Sequence, residues 1–571
     1  YKRQADMLQL ARQTRPQLYA LETPAVAPPV PSQLCLETGG RIAADGSVVL
    51  PLSDSEIAIL LKEIEALEPD AIAINLLFSF LDGGFERKIE AAIQAQEAER
   101  FVSRSSSVLP EYKEYERGIA TWLNAALGPV ISGYLKALQE ELGSTSLQVM
   151  QSSGETMAAS TAAESAVNLL LSGPAGGLTA IAFLAQQQGK TKFISFDMGG
   201  TSTDVALLDG KIRTSNESSI ASYPIAVPMV DMETIGAGGG SVAFVDTGGM
   251  LQVGPRSAGA DPGPACYDRG GEEATVSDAN LVLGRLQFDT ALAGDLKLSL
   301  QKARVSIEPL AERIGLSIEE TALGIIDIAN EHMAKAIRLI SVNKGHDPQE
   351  FILASFGGAG SLHVCALADA MGMRDAIVPV HGGVLSALGM VVAEQGRQFS
   401  KTLSLDTEQI DEQELEQQYT SLVQRGIAQL ASEGLPESML VSNRSADLRY
   451  KGQSYTLNVD FTSIAEAVKA FQELHRQRYG YSHDVPVELL TIRVNVSTRR
   501  ARFFMPEHIA NTSCNNAEQC KVYGETVKAK LLQRTQLCPG VWVAGPAIIT
   551  EYSATTFVAG DLSVAPDEFG N

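Results

Sequence analysis

The chain has 571 residues, more than one hydrophobic core usually serves, so we expect two or three domains. Hydrophobic residues make up 45% of it and charged residues 20%, which excludes a largely disordered protein. Acidic residues outnumber basic ones 68 to 45, and a net charge of -23 repels phosphate backbones and anionic lipids. Neither nucleic acid nor a membrane is therefore an expected partner.

The cysteines and histidines form no recognisable metal motif. The six cysteines are scattered, with no CxxC pair and no neighbouring histidine at zinc-ligand spacing, so we expect reduced thiols. No signal peptide is visible, and no apolar run approaches the roughly 20 residues that a membrane helix needs. The cytoplasm is the expected location.

The first 146 residues alternate predicted helices and strands. Ser53 to Glu56 has the form of a capping box and predicts an amphipathic helix through Ala66. The apolar run AIAINLLFSF, Ala71 to Phe80, predicts a buried strand. Three further elements follow: a helix near residues 85–98, a strand near 101–108 and a helix from about 115 to 142. This alternation is typical of an α/β lobe.

A second predicted domain spans residues 147–400. Its strand-like segments are 147–151, 192–198, 205–208, 351–356 and 376–380. Apolar residues recur at helical spacing from Ala322 to Ile340 and predict a core helix. The Gly- and Pro-rich stretch from Ile235 to Gly271 is typical of a functional loop.

The character of the sequence changes after about residue 400. An acidic helical segment, 407–433, precedes alternating strands such as 447–450, 455–460 and 490–497. We therefore predict a third, strand-rich domain over residues 401–571.

The segment FDMGGTSTDVALLDG, Phe196 to Gly210, predicts two strands joined by a tight turn. The turn residues suited to phosphate are Gly199, Gly200, Thr201, Ser202 and Thr203. The glycines let backbone N–H groups approach an anion, and the hydroxyls add donors for phosphate oxygens. An ordinary hairpin with polar turn residues is the alternative.

Two aspartates flank this turn. Asp197, at the end of its strand, is placed to hold Mg²⁺ directly or through water. Asp204 is placed to orient a nucleophile or a second metal-bound water. Together with the turn they predict a phosphate-binding site.

A second glycine cluster, FILASFGGAGSLHVCALADAMG, predicts a strand, a glycine turn and a helix. The bare backbone of Gly357, Gly358 and Gly360 and the helix N-terminus would face a ligand, which in an actin-like protein is adenosine. The alternative is that the glycines only allow close packing. His363 either touches the ligand or is a packed residue.

The segments TIGAGGGSVAF and VGPRSAGADPGPACYDRGG form a third candidate region. Gly238 and Gly239 begin a run of glycines that offers further N–H donors. The residues that would line a substrate cleft are Arg256, Asp261, Cys266 and Tyr267. Asp261 would serve a metal or a proton transfer, and Cys266 is a nucleophile only if a partner base exists. A turn-rich structural loop is the competing interpretation.

These motifs together resemble the hydantoinase A and 5-oxoprolinase family, which includes the ATP-binding subunits of acetone and acetophenone carboxylases. The resemblance covers nearly all of the chain. The motifs on which the resemblance rests occur in the same order as in the family. They are PEYKEYER (110–117), LLLSGPAGG (169–177), FDMGGTSTD (196–204), IGAGGGS (235–241), VGPRSAGADPGPACY (253–267), SDANLVLGRL (277–286), KGHDP (344–348), FGGAG (356–360), GGVLSALGM (382–390) and GPAII (545–549).

The resemblance implies an α/β fold with actin-like ATPase (ribonuclease H-like) lobes. Residues 1–146 would be the remainder of the first lobe of the family's N-terminal region, residues 147–400 the actin-like nucleotide-binding domain, and residues 401–571 the β-rich C-terminal domain. It implies ATP and Mg²⁺ as cofactors, and hydrolysis of a cyclic amide such as 5-oxoproline or a hydantoin after phosphoryl transfer to the carbonyl oxygen. A hydantoinase B-type subunit is the implied partner in an oligomer. A carboxylase subunit is the alternative.

The sequence departs from the family's pattern at three places. Family members open with another strand-turn carrying GGTxTD, and no such segment precedes Tyr1, so a truncated nucleotide-binding scaffold is a further alternative. Ser152 to Glu155 reads SSGE where relatives have Ser-Asn-Gly-Gly. Gly118 to Ala120 replaces Thr-Ser-Thr. We expect the last two changes to bear on substrate choice.

Overall fold

The structure is a computed structural model. It describes residues 6–14, 19, 21, 27–216, 218–220, 223–287, 297–499, 503, 505 and 517–571. The chain divides into two compact units. The first unit comprises residues 1–172, 214–229 and 394–500, and the second comprises 173–213, 230–393 and 501–571.

Within the described residues the α-helices are α1 Met7–Leu10, α2 Asp54–Leu67, α3 Gly84–Gln96, α4 Ser105–Val108, α5 Glu114–Leu142, α6 Ala159–Glu164, α7 Ser172–Gln187, α8 Val276–Val282, α9 Leu300–Ile314, α10 Ile318–Ile340, α11 Val364–Ala370, α12 Leu385–Val392, α13 Glu412–Ser432 and α14 Ile464–Tyr479.

The described strands are β1 Arg41–Ile42, β2 Val48–Leu50, β3 Ala71–Ile74, β4 Phe101–Arg104, β5 Gln148–Met150, β6 Thr156–Ala158, β7 Lys192–Met198, β8 Thr203–Asp209, β9 Lys211–Ile212, β10 Thr214–Ser215, β11 Ser218–Ile220, β12 Tyr223–Ile225, β13 Met229–Val230, β14 Met232–Ile235, β15 Ser241–Val245, β16 Leu251–Ser257, β17 Ile352–Phe356, β18 Ala376–Ile377, β19 Gly396–Asp406, β20 Leu440–Tyr450, β21 Leu457–Asp460, β22 Val487–Thr498, β23 Glu518–Cys520, β24 Ala529–Gln533, β25 Val543–Ala544, β26 Ala547–Thr550, β27 Thr555–Val558 and β28 Ser563–Val564.

A mixed sheet forms the centre of the second unit. Its strand order is β14-β8-β7-β17-β18, and β9 pairs with β8 at the side of this path. Strand β8 is antiparallel to both of its neighbours, β14 and β7, whereas β17 runs parallel to β7 and β18 runs parallel to β17. One face of the sheet packs against α8, α10 and α11 and the other against α7 and α12. Because both faces are covered, residues 193–196 of β7 are all buried.

Helix α10 confirms the predicted core helix and extends it by one turn at its start. Its capping box joins Ser317 and Glu320, so the helix begins earlier than the apolar stripe alone indicates. The buried stripe consists of Ile325, Ala329, Met333, Ile337 and Ile340. These side chains join the core beneath the central sheet.

The predicted strand from Ala71 to Phe80 is too long, because β3 ends at Ile74. The carboxylate of Glu86 accepts the Leu76 N–H at 2.9 Å and the Ser105 hydroxyl at 2.6 Å. It also accepts the Ser106 N–H at 2.8 Å, just after β4 ends. The N–H groups of Leu76 and Ser106 are thus bonded to the buried Glu86 side chain and are not available for pairing between β3 and β4. Both strands therefore end before these residues.

The C-terminal region is rich in strands, as predicted. In the first unit, β19, β22, β20 and β21 form one antiparallel sheet that packs against α13 and α14. In the second unit, β23, β24, β26 and β27 form a separate four-stranded sheet. The helix expected over 407–433 is α13, which an Asp411 side chain caps.

The first unit contains a carboxyl group with a raised pKa. Glu155 is partly buried and accepts a hydrogen bond from the Asn495 amide at 2.8 Å. Burial raises the pKa of Glu155 to about 7, and the charge of Glu394 adds to this while Arg397 opposes it. A folded-state pKa above the unfolded value of 4.5 means that stability falls as the pH rises from about 4.5 to about 7.

We expect the Glu155→Gln variant to lose this pH dependence, because an amide does not titrate. Its free energy of unfolding at pH 8 should exceed that of the unchanged protein by about 2 kcal/mol, with little difference at pH 4.5. Denaturant titrations at both values measure this. The matched control is Glu141→Gln on the exposed end of α5. A Glu155→Gln variant that gained no stability at pH 8 would contradict the assignment.

Candidate functional site

Three polar side chains form a row across neighbouring strands of the second unit's sheet. Asp197 on β7 lies directly opposite Asp204 on β8, and Asp204 lies directly opposite Thr234 on β14. Residues paired in this way project from the same face of an antiparallel sheet. The turn between β7 and β8 begins two residues after Asp197, so the predicted hairpin is present with both aspartates near its closed end.

The two carboxylates affect each other's protonation. Burial and the charge of Asp204 raise the pKa of Asp197 to about 6. Burial also raises the pKa of Asp204, while the hydrogen bond from Thr234 lowers it. No cluster of three acidic, histidine or cysteine side chains that could hold a metal is found in the part of the chain that the structure describes. A Mg²⁺ site needs only one or two carboxylates when nucleotide phosphates complete its shell.

The glycine run that follows β14 packs directly on the turn. The N–H groups of Gly239 and Gly240 donate to the carbonyls of Gly199 and Gly200 at 3.0 and 2.6 Å. A Cβ at Gly238 would lie 2.7 Å from the Gly200 carbonyl, so only glycine fits there. Because these N–H groups donate to the turn between β7 and β8, the glycine run stabilises the conformation of that turn. Its direct contact with a nucleotide stays a prediction.

The turn after β17 meets the end of β7 beside Asp197. Ala359 donates its N–H to the Met198 carbonyl at 3.1 Å. Gly357 has a φ of +81°, and a Cβ there would lie 2.4 Å from the Asp197 carboxylate oxygen Oδ1. The structure therefore brings both predicted glycine turns and the Asp197 carboxylate to one edge of the sheet.

The turn leaves room for a ligand. A Cβ at Gly200 or at Gly358 would meet nothing within 4 Å, so the protein's own packing does not require glycine at either position. The hydroxyls of Thr201 and Ser202 make no hydrogen bond with a described residue. The Thr203 hydroxyl differs, because it donates to the buried Ala237 carbonyl at 2.5 Å. The Gly199 N–H is used within the turn, where it donates to the Ser202 carbonyl at 3.0 Å. The hydroxyls of Thr201 and Ser202 and the paired carboxylates are groups that suit the phosphates and Mg²⁺ of a nucleotide.

We expect the Gly200→Ala variant to fold normally, because a Cβ there meets nothing within 4 Å. It should bind ATP about tenfold more weakly if the phosphates bind at this turn as predicted, because the methyl group would stand in their way. Calorimetric titration with Mg²⁺ and ATP measures the affinity, and the thermal unfolding midpoint checks the fold. Gly133→Ala is the control, since a Cβ there also meets nothing within 4 Å. Wild-type ATP affinity in Gly200→Ala would contradict phosphate binding at this turn.

The loop from residue 253 to residue 271 contacts the glycine run, because Ala258 donates its N–H to the Gly240 carbonyl at 2.8 Å. Asp261 is exposed and makes no hydrogen bond or ion pair with a described residue. Arg256 instead forms an exposed bidentate ion pair with Glu273. Among the described residues, no hydrogen bond or ion pair connects Asp261 to Asp197. The role of Asp261 near the substrate therefore stays a prediction.

Cys266 is a buried structural thiol. Its N–H donates to the Asp278 carboxylate at 2.6 Å, and the same carboxylate caps α8 through Thr275. Burial and the Asp278 charge raise the pKa of the thiol, so the thiolate that a nucleophile needs does not form near neutral pH. Tyr267 follows it in a single 3₁₀ turn.

His363 is packed in the interior. Its Nδ1 lies 2.7 Å from the Asn330 amide oxygen, and the side chain is fully buried. Burial lowers its pKa to about 3, so it is neutral. This arrangement favours the packed-residue alternative over ligand contact.

The expectation of reduced cysteines is wrong for Cys538, which is disulfide-bonded. Cys35, Cys266, Cys365 and Cys520 are free, and Cys514 lies outside the described residues. Spacing along the sequence does not show which cysteines approach within bonding distance.

No helix in the described ranges is both long and apolar enough to span a membrane.

Sequence reasoning missed a buried ion cluster in the first unit. The guanidinium of Arg493 on β22 contacts both oxygens of Glu111 at 2.5 and 2.8 Å and an oxygen of Asp447 at 2.5 Å. Glu111 belongs to PEYKEYER, and Arg117 of the same motif is fully buried, donating to the Glu111 and Leu76 carbonyls at 3.0 Å. The charged residues of this motif were the sequence signal that could have revealed the cluster. In the structure, Glu111 and Arg117 make contacts that stabilise the fold of the first unit. Gly118 to Ala120 are likewise buried in α5.

The fold matches two solved structures of ATP-dependent enzymes. A crystal structure of ATP-dependent caprolactamase from Pseudomonas jessenii aligns with a TM-score of 0.88 and 32% identity, over 100% of this chain and 86% of that one. A nucleotide-free structure of acetone carboxylase aligns with a TM-score of 0.75 and 25% identity, over 96% and 82%. The chain is thus a mixed α/β protein of this structural class.

Sequence comparison defines the family. The hydantoinase/oxoprolinase N-terminal region matches residues 1–96, the hydantoinase/oxoprolinase model residues 117–398, and its C-terminal domain residues 403–569. Caprolactamase subunit alpha of P. jessenii is 37% identical over 84% of this chain and 71% of its own length. The chain belongs to the hydantoinase/oxoprolinase family, which confirms the resemblance of its motifs. It spans only 48% of 5-oxoprolinase 1 of Arabidopsis thaliana, which is 30% identical over 99% of this chain.

Proposed function

We propose that the chain binds ATP with Mg²⁺ at the turn between β7 and β8 and serves the ATP-dependent hydrolysis of a cyclic amide. The observation that carries this proposal is the row of paired carboxylates beside a turn whose glycines the protein's own packing does not require. Kinship with an ATP-dependent caprolactamase supports it.

The topology of the second unit's sheet supports an actin-like lobe. Numbered in chain order, its main strands lie in the order 3-2-1-4-5, with the first three antiparallel and the last two parallel to the first. This is the order of a ribonuclease H-like lobe. The assignment of residues 1–146, 147–400 and 401–571 to three domains stays a proposal beside it.

Each group has a distinct task in the proposed site. Bound ATP supplies the phosphoryl group that makes an amide carbonyl open to attack by water. Asp197 would hold Mg²⁺, and the backbone and hydroxyls of the turn from Gly199 to Ser202 would hold the phosphates. Thr203 would tie the end of this turn to the core through Ala237. Gly357, Gly358 and Gly360 would receive adenosine.

Asp204 would orient the attacking group or a metal-bound water beside Asp197. Asp261 would act near the substrate. Neither role needs the thiol of Cys266, because that group is buried and protonated.

Partner and location are proposals of the same kind. The relative named caprolactamase subunit alpha is by its name part of a larger assembly. A hydantoinase B-type subunit is therefore the partner we propose for this chain, in an oligomer placed in the cytoplasm.

Turnover across a substrate panel tests the proposal. ATP hydrolysis by the protein, with and without the B-type subunit, would be measured with caprolactam, 5-oxoproline, hydantoin and acetone plus bicarbonate. Stimulation by a cyclic amide supports the proposed reaction. Bicarbonate-dependent stimulation by the ketone would instead support a carboxylase subunit, the alternative that the likeness to acetone carboxylase favours. ATP binding without turnover would support the scaffold alternative.

A further inference from the structure

Thr234 makes a short hydrogen bond to the proposed site. Its hydroxyl donates to Oδ1 of Asp204 at 2.5 Å. Among the described residues it is the only donor to this carboxylate. The strand register explains the contact, because Thr234 on β14 lies directly opposite Asp204 on β8.

The neighbouring hydroxyls cannot replace this donor. Thr203 is committed to the Ala237 carbonyl, and Thr201 and Ser202 stand in the turn beyond the row of paired residues. On the other side of Asp204 lies Asp197, whose negative charge repels it. The Asp204 carboxylate therefore has a like charge on the neighbouring strand β7 and its donor on the other neighbouring strand, β14. The hydrogen bond from Thr234 holds it in place.

We propose that Thr234 is the positioning residue that fixes the Asp204 carboxylate beside Asp197 in the Mg²⁺- and ATP-binding site. This inference rests on the proposed function. With Oδ1 held by Thr234, Oδ2 makes no hydrogen bond with a described residue and is available to a nucleophile or a metal-bound water. Thr234 itself touches no reacting atom, so its loss should lower the rate of reaction rather than the affinity for ATP.

The first test uses variants that separate the hydroxyl from the shape of the side chain. Thr234→Val keeps the shape without the hydroxyl, Thr234→Ala removes both, and Thr234→Ser keeps the hydroxyl. Thr191→Val is the matched control, because Thr191 is also exposed but precedes the opposite end of β7. We expect kcat for ATP turnover to fall roughly 10- to 100-fold in Thr234→Val and Thr234→Ala. The KM for ATP should stay within about threefold, and the Ser and control variants should behave as the unchanged protein.

A second readout does not depend on activity. Crystal structures of the nucleotide-free protein should show Asp204 hydrogen-bonded to residue 234 in the unchanged and Ser proteins, and in a different rotamer in Thr234→Val. Calorimetric titration with Mg²⁺ and ATP should give nearly equal affinities for all of them.

Three results would overturn the inference. These are wild-type kcat in Thr234→Val, a raised KM at unchanged kcat, or an unmoved Asp204 side chain in the Thr234→Val crystal structure. A kcat in Thr234→Ser as low as that of Thr234→Val would be a fourth such result. If the unchanged protein bound no Mg²⁺ and ATP in calorimetry, the proposed function itself would fall, and this outcome is distinct from the others.

Discussion

Replacement of Asp197 by Asn is expected to lower ATP turnover at least about a thousandfold, because the variant loses the carboxylate that would hold Mg²⁺ against the phosphates. The substitution keeps the size of the side chain and removes one of two like charges that repel each other across β7 and β8. The fold should therefore be retained or slightly stabilised. Phosphate release at saturating ATP and Mg²⁺ measures the rate.

The matched control for this variant is Asp209→Asn at the far end of the same hairpin. Asp209 lies opposite Lys192 and contacts Arg213 at 3.8 Å, away from both glycine turns. It should keep its turnover within about twofold, because its surface ion pair contributes little to stability. Comparable turnover in Asp197→Asn and Asp209→Asn would contradict the assignment of Asp197 to the metal.

Replacement of Arg493 by Met should destabilise the first unit by about 3 to 5 kcal/mol, because it leaves two buried carboxylates without their partner. Glu111 and Asp447 both depend on this guanidinium, which is almost completely buried. The variant should begin to unfold at a lower denaturant concentration, followed by circular dichroism.

Arg499→Met is the control for this prediction. Arg499 directly follows β22 and is exposed, so its replacement should change the free energy of unfolding by less than about 0.5 kcal/mol. Equal stability of Arg493→Met and Arg499→Met would show that the buried cluster does not hold the first unit together.

The site was predictable where its parts are close along the chain. Asp197, Asp204 and the turn between them lie in one hairpin. The two glycines between two apolar segments were therefore enough to predict it from the sequence. The same holds for α2, whose capping box is read from four consecutive residues, Ser53 to Glu56.

The rest depends on contacts between distant residues. Thr234 reaches Asp204 across 30 positions, and Gly357 reaches Asp197 across 160, so only the strand order of the sheet brings them together. Arg493 meets Glu111 from the other end of the first unit's sequence. No local pattern marks such partners. The glycine run at Gly238 also looked like a ligand loop in sequence, whereas its amides support the neighbouring turn.

The most direct test of the central claim is a crystal structure of the protein with Mg²⁺ and a non-hydrolysable ATP analogue. We predict phosphate density within hydrogen-bonding distance of the backbone from Gly199 to Ser202, with a metal ion at Asp197 and the adenosine beside Gly357 and Gly358. Nucleotide bound at another place, or a turn left empty at saturating analogue, would contradict the account.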